Sequence, residues 1–492
     1  QSLKQTSTIL RPPSKHHSGF PFPSPRHAMG CQEEGATPAA AQPHVLLVSC
    51  PLQGHVNPLL RLGRRLAARG LLVTFTTFRH AGLRGIHADG TCTHGVRFQY
   101  LLGDATGRDD DADQMTPDDM LRHAVDAGPA ALAALIGRQA DAGRPVTCVV
   151  NTTFVPWALD VAREQGVPCR ATLWTQSCTV LSLYYHFYNN TFPDASFPSA
   201  ADDAPVALPG LPAMAMDELP LMVRPEFADN LWGQALRDEL AGQVREEKGA
   251  PSLVLVNTFH ALERAAIDAL PIAVVPVGPL LDVDDEMGED HDGVMAWLDA
   301  QAPRSVVYVA FGSLVDIGPD ETAELAEGLA GTGRPFLWVV RDSKRLDLLP
   351  EAVLAACDDD KGKIVAWCPQ GRVLGHVAVG CFVTHCGWNS VTEALAAGVP
   401  VVGYPWWSDQ FTNAKLLVEY GVGVRLPAPV TRDALRMCVD EVMDGTEAAT
   451  MWERATSWKE EAASAMAHGG SSDRNLLDFV DLIRMLVGSC EV

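Results

Sequence analysis

From His44 to Tyr404 the chain keeps returning to one pattern, a short apolar run followed by a turn and an amphipathic helical stretch. Residues 45–49 form the first run, and Pro51-Leu52-Gln53-Gly54-His55 follows it. A helix is then expected from Pro58 to Arg69, with Leu59, Leu62 and Leu66 at helical spacing and arginines on the other face. Gly70 stops it, and 72–78 supplies the next strand. The unit recurs at 147–150 into 157–164, at 171–174, and at 253–256 into 262–270. It restarts at 305–310, 335–340, 363–365, 381–384 and 399–404. Alternation of this kind builds parallel sheets with helices on both faces. Between the two series lies a charged stretch, Asp282-Val283-Asp284-Asp285-Glu286 and Gly288-Glu289-Asp290-His291-Asp292. It reads as a linker between two doubly wound α/β domains, whose ligands bind beyond the carboxyl ends of the strands.

Composition narrows the partners. A formal net charge of -23 repels phosphate backbones and anionic lipid, which argues against nucleic acid and membrane surfaces. No apolar run is long enough to span a bilayer. The 12 cysteines contain no CxxC pair and no zinc spacing, and several, including Cys50, Cys148 and Cys381, fall in apolar runs. They read as buried free thiols of a reducing, cytoplasmic protein. Aspartate runs at 109–111, 202–203 and 358–360 lack histidine partners and read as solvated surface, so no metal is expected. Residues 1–28 hold no acid and many Ser, Pro, Lys, Arg and His, with no apolar signal core. That composition fits a transit peptide weakly and equally well a stretch upstream of a start at Met29; the second is preferred, and residues 1–42 are expected to be a disordered leader.

The densest chemistry lies in 367–410. It contains Trp367-Cys368-Pro369-Gln370, then Thr384-His385-Cys386-Gly387-Trp388-Asn389-Ser390 with Glu393, then Pro405-Trp406-Trp407-Ser408-Asp409-Gln410. The middle piece is a strand, a glycine turn and a helix opening near Asn389, whose unpaired N–H groups and positive dipole end suit a phosphate. His385 can donate to the same oxygens. Glu393, one turn into the helix, can accept from vicinal hydroxyls, and Asp409 with Gln410 can serve the hydroxyls of a sugar. Trp367 offers a flat face to a base. Taken singly each has an ordinary structural reading, as core, cap or satisfied polar group.

As a whole the run resembles the 44-residue signature box of plant UDP-dependent glycosyltransferases. The resemblance extends through most of 43–485, with Gln53-Gly54-His55-Val56-Asn57-Pro58 after the first strand, Trp297-Leu298-Asp299, and Phe311-Gly312-Ser313. It implies a GT-B fold, two Rossmann-like doubly wound domains facing across a cleft. The segments are then an acceptor-binding domain at 43–278, a linker at 279–294, a UDP-sugar domain at 295–464, and a C-terminal segment, 465–492, whose helix returns to the first domain. By match to the family's positions, Trp367 stacks on uracil, Gln370 lies beside the ribose and Glu393 takes its hydroxyls. Ser313, His385, Asn389 and Ser390 hold the diphosphate; Trp388, Asp409 and Gln410 face the sugar, and Thr175 reaches its 6-hydroxyl. The resemblance implies UDP-glucose as donor substrate, a small-molecule acceptor, no separate cofactor and a monomer.

His55, in the loop after the first strand, is the candidate base for an inverting displacement at the anomeric carbon. Most members of the family place an aspartate four residues beyond the position of Cys148, to pair with that histidine. Here the position is Thr152. A carboxylic acid, with a pKa of about 4, needs no base at neutral pH, whereas a phenol at about 10 does. Gln53 to Leu62, Phe154-Val155-Pro156-Trp157 and Trp174-Thr175-Gln176-Ser177-Cys178 resemble the branch that makes glucose esters of carboxylic acids. The expected product is therefore a 1-O-acyl glucose. The alternatives are glucosylation of a phenolic or alcoholic hydroxyl, or a weakly catalytic UDP-sugar binder. Tyr184, Tyr185, Phe187 and Tyr188 divide evenly between core and acceptor pocket. A nicotinamide dehydrogenase is disfavoured, because 51–58 has one glycine where the dinucleotide fingerprint needs three.

Overall fold

The computed structural model describes residues 42–78, 83, 86–101, 116–191, 205–224, 227, 230–244, 252–282, 292–312, 317–341 and 349–488. The expected leader, but for Gln42, lies outside them, as do 283–291 of the linker and Ser313. The amino-terminal half carries β1 (His44–Val48), α1 (Gln53–Ala67), β2 (Leu72–Thr76), β3 (Cys92–Thr93), β4 (Val96–Phe98), α2 (Pro117–Asp141), β5 (Cys148–Thr152), α3 (Trp157–Glu164) and β6 (Cys169–Trp174). It continues with α4 (Cys178–Tyr188), α5 (Leu231–Val244), β7 (Ser252–Val256), α6 (His260–Ala269) and β8 (Val274–Pro276). The second half holds α7 (Val294–Asp299), β9 (Val306–Ala310), α8 (Pro319–Gly331), β10 (Phe336–Val339), α9 (Glu351–Asp358), β11 (Gly362–Val365), α10 (Gln370–Leu374) and β12 (Val379–Thr384). Then come α11 (Trp388–Ala397), β13 (Val401–Gly403), α12 (Gln410–Glu419), β14 (Gly423–Arg425), α13 (Arg432–Asp444), α14 (Ala448–Met466) and α15 (Ser471–Gly488).

Among the described residues the strands form an 8-stranded sheet, β3-β4-β2-β1-β5-β6-β7-β8, and a 6-stranded sheet, β11-β10-β9-β12-β13-β14. Every pairing is parallel except β3 with β4. β1, β5, β9 and β12 are buried along their whole length, as strands covered by helices on both faces must be. In each sheet the chain winds outward one way and then the other. The direction reverses between β1 and β5 in the first sheet and between β9 and β12 in the second. A crevice opens at such a reversal, beyond the carboxyl ends of the strands. His55 follows β1, Gly312 follows β9 and His385 follows β12, so both reversals carry residues of the expected site.

Several details differ from the sequence reading. Helix α1 starts at Gln53 and holds Pro58 in its interior, where the missing N–H leaves the Gly54 carbonyl without its helical donor. Asn389 Nδ2 of α11 donates to that oxygen at 2.9 Å. Arg61, expected on the solvent face of the same helix, is buried. Cys50 is buried but lies past the end of β1. The expected linker is not free of core: Leu280 and Val294 are both buried, and Asp282 is bonded to Arg61. Tyr184 belongs to the core beside Trp174 and Met222, Phe187 and Tyr188 pack against it, and Tyr185 is buried, so the aromatic cluster of α4 is core, not pocket. Helix α15 returns to the first half, where Ser472 Oγ donates to Gly278 O (2.6 Å) and Asn475 Nδ2 to Pro276 O (2.7 Å).

Candidate active site

A cleft of about 1090 Å³ lies between the two sheets' carboxyl ends. Its lining includes His55, Thr175, Trp367, Gln370, His385, Trp388, Asn389, Ser390, Glu393, Asp409 and Gln410. The structure thus gathers every described residue expected in the site. Ser313 falls outside the described residues.

On the second half, α11 opens at Trp388 with Gly387 as N-cap, and its first-turn amides have no helical acceptor. His385 sits just before this end. Its ring lies between two glycines: a Cβ on Gly312 would come within 2.5 Å of His385 Nε2, and one on Gly387 within 2.6 Å. Gly312 also has φ +72°, where a side chain is strained. Gly312→Ala is therefore expected to displace the imidazole and weaken UDP binding on the order of tenfold, since strain of this kind costs about 1–3 kcal/mol. Calorimetric titration with UDP checks it, and an unchanged affinity would contradict the close approach.

The polar side chains hold one another in place. Gln370 Nε2 donates to Ser390 Oγ (3.0 Å) and to Glu393 Oε2 (2.7 Å), while Gln370 Oε1 accepts from Tyr308 (3.2 Å). Asn413 Nδ2 donates to Asp409 Oδ2 at 2.6 Å, and burial pushes the Asp409 carboxyl up to about 6. Gln410 Oε1 accepts the N–H groups of Trp406 and Trp407, both at 2.8 Å, which leaves Nε2 as the donor end of its amide. Trp388 lines the cleft, but its indole N–H donates to Asn257 O at 2.8 Å, so its polar atom is engaged in the wall. Trp367 is half-buried on the cleft and keeps part of its ring accessible.

On the first half, His55 sits in the first turn of α1 and is only 7% exposed. Phe154 stands edge-on to it with centroids 5.3 Å apart, and Trp232 stands edge-on to Phe154 at 5.0 Å. Phe154 has φ +75°, a strained backbone for a bulky residue and a common mark of functional sites. With Leu52 and Met222 these rings make an apolar end to the cleft. Sequence reasoning missed Phe154 and Trp232 as wall residues, since an aromatic residue carries no signal of positive φ. Trp232 Nε1 donates to Asp118 Oδ1 at 2.7 Å, so the apolar end has one polar rim.

His55 has no carboxylate partner among the described residues. Thr152 is fully buried at the end of β5, and its Oγ1 accepts the N–H of Cys50 at 2.9 Å. Asp160 instead pairs with Arg163 on the exposed face of α3. The polar group beside His55 Nδ1 is the hydroxyl of Thr175, at 3.4 Å. Burial lowers the His55 pKa to about 4, so the imidazole is neutral at pH 7.

Two other imidazoles share that state. Burial lowers His44 to about 4, with Nδ1 donating to Arg144 O and Nε2 accepting from Thr74, and His385 to about 4, helped by the charge of Arg341. Unfolded histidine takes a proton near 6.5, so these three favour the folded state fully above that pH. Their contribution is lost as pH falls from 6.5 through 4. Asp409 acts oppositely over 6 to 3.8, because its raised pKa lets the folded form bind a proton first. Glu263, also raised by burial, acts with Asp409, and His87, lowered by burial, acts with the other imidazoles. The deeply lowered imidazoles outweigh the two carboxyls over this range, so the melting temperature is expected to drop between pH 7 and pH 5. A flat profile would contradict the buried neutral state.

Among the described residues no group of His, Cys, Asp or Glu is arranged to hold a metal ion, and no helix is long and apolar enough to cross a membrane.

Comparison with known proteins points the same way. Residues 282–452 match the family described as UDP-glucoronosyl and UDP-glucosyl transferase. The chain is 40% identical over 472 residues to gallate 1-beta-glucosyltransferase 84A24 of Punica granatum, covering 90% of this chain and 89% of that one. It is 38% identical over 484 residues to cinnamate beta-D-glucosyltransferase of Fragaria ananassa, covering 91% and 83%. In structure it is similar to Os79 from O. sativa in complex with UDP, with a TM-score of 0.77 and 32% identity over 89% of this chain and 100% of that one. With two facing sheets, a helix end and a buried carboxylate in one cleft, and this likeness along nine-tenths of its length, the chain belongs to the UDP-glycosyltransferase family, with the GT-B fold.

Proposed function

We propose that this enzyme transfers glucose from UDP-glucose to the carboxylate of a small aromatic acid, giving a 1-O-acyl glucose with inversion. The observation that carries the reading is the surroundings of His55: Thr152 stands where the family's aspartate would be and is spent on Cys50 N–H, and a hydroxyl, Thr175, faces Nδ1. A carboxylate at Nδ1 can only accept, so it fixes the proton there and leaves Nε2 as a base. A hydroxyl can also donate to Nδ1. Nε2 then carries the proton and donates to an acceptor carboxylate.

Magnitudes favour the same acceptor. Moving a proton from a phenol near 10 to an imidazole near 4 is uphill by about six pKa units, roughly 8 kcal/mol. A carboxylate arrives ionised and needs no such transfer. In the reaction one carboxylate oxygen attacks the anomeric carbon as the bond to the diphosphate oxygen breaks, and UDP leaves with the electron pair. The N-terminal amides of α11 and His385 meet the charge that develops there. Trp367 stacks on the base, Glu393 and Gln370 hold the ribose, Ser313, Asn389 and Ser390 hold the diphosphate, and Asp409, Gln410 and the wall at Trp388 receive the sugar. Thr175 is placed to serve His55, with the sugar's 6-hydroxyl as its second partner.

The names of the gallate and cinnamate relatives support this acceptor class. That both halves of the site come from one chain supports a monomer as the proposed working unit, with proposed domains at 43–278 and 295–464. Cys148 and Cys169 are register partners on β5 and β6, buried and free, which fits a reducing, cytoplasmic setting. Product chemistry tests the proposal: with a free aromatic acid the glucosylated product should be cleaved by mild alkali, and an alkali-stable product would overturn it.

A further inference from the structure

Helix α1 belongs to the acceptor half, yet it grips the donor half at two points. The carbonyl of Gly54, freed by Pro58, accepts from Asn389. Seven residues on, and so on the same face, Arg61 Nη2 donates to Glu393 Oε1 at 2.8 Å. Asn389 and Glu393 are themselves four apart on α11, so one face of each helix meets the other in register. Arg61 also clasps Asp282 through Nε (2.8 Å) and Nη2 (2.5 Å), and donates from Nη1 to Leu280 O (3.1 Å). Arg61 is 5% exposed and Glu393 8%.

A buried ion pair is weak evidence for stability, since apolar side chains of similar volume often hold a core as well. This pair has a second use. The Glu393 carboxylate offers about four lone-pair positions. Arg61 takes one on Oε1 and Gln370 one on Oε2, at 2.7 Å. Two remain, one on each oxygen, matching two vicinal hydroxyls.

We infer that Arg61 is a positioning residue for nucleotide recognition, holding Glu393 in the orientation that reads the ribose hydroxyls and tying that reading to the acceptor half. The inference rests on the proposed role of Glu393 toward the ribose. A lysine does not replace it, because a single ammonium cannot clasp Asp282 through two nitrogens while reaching Glu393.

The test is equilibrium binding of UDP and 2′-deoxy-UDP to the full-length protein and to Arg61→Met, Arg61→Lys and the double variant Arg61→Met/Asp282→Asn. The double variant removes one of the two carboxylate charges that the first substitution orphans, that of Asp282, while Glu393 keeps its bond from Gln370, and melting curves check folding. The unsubstituted protein is expected to prefer UDP on the order of tenfold or more, the usual weight of a hydrogen bond to a charged group. In the methionine variants that preference should fall below about threefold, with the lysine variant between, and KM for UDP-glucose should rise more than kcat falls. Equal weakening of both nucleotides with the preference intact would overturn the inference and leave Arg61 a structural residue. Absence of any preference in the unsubstituted protein would overturn the ribose role of Glu393 and, with it, the role of Arg61.

Discussion

Replacing His55 by alanine is expected to lower kcat/KM for an aromatic acid by about 100-fold, while glutamine at the same position stays within about tenfold of the unsubstituted enzyme. The difference follows from what the imidazole supplies. Its burial beside Phe154, with a hydroxyl at Nδ1 instead of a carboxylate, leaves it neutral and free to carry its proton on Nε2. A donor to an anionic acceptor is worth roughly 1.5–3 kcal/mol, or about 10- to 150-fold. Glutamine keeps an N–H donor but cannot take a proton, so it rescues a donor and not a base. UDP affinity should be unchanged in both variants, since the ring's neighbours Phe154 and Thr175 both belong to the acceptor half. Steady-state kinetics with one acid acceptor decides it. Equal, deep loss in both variants would show that His55 works as a base.

Thr152→Asp should move the enzyme toward hydroxyl acceptors. An aspartate there can keep the bond from Cys50 N–H, five residues before His55, that Thr152 Oγ1 now accepts. It adds a negative charge at the end of β5, at the position where the family's aspartate serves the histidine. That charge favours the imidazolium and raises the pKa of His55 from about 4, which restores a base. It also repels an anionic acceptor. Phenol turnover is expected to rise by about 100-fold, within the usual range for general base catalysis, and acid turnover to fall by at least tenfold. The measured quantity is the ratio of kcat/KM for a matched acid and phenol. An unchanged ratio would mean that position 152 does not govern acceptor chemistry.

Much of this site was legible because its parts are local. The two strand–helix series, the box at 367–410 and the threonine at 152 are all visible as residues in order, and the chain's topology then brings β1, β9 and β12 to the two reversals that open the cleft. What escaped was set by distance along the chain. Arg61 reads as one more arginine on a polar helix face, because its partners Asp282 and Glu393 lie 221 and 332 positions away. Pro58 reads as a helix start by the ordinary preference of proline for that position. Its place inside α1 is tolerated because a side chain of the other half, Asn389, meets the freed carbonyl. The tyrosines of α4 fill two faces of one helix, and periodicity alone does not say which face a neighbouring layer covers. Phe154 and Trp232 became wall residues through a strained backbone and a helix far off in sequence, neither of which composition records.

The central claim, a carboxylate acceptor, is tested most directly by UDP release from UDP-glucose against pairs of acceptors, each aromatic acid beside its methyl ester bearing the same phenol. The free acids should turn over to alkali-labile products while the esters stay silent. Turnover of the phenolic methyl esters at comparable rates would contradict the claim and require another partner for His55.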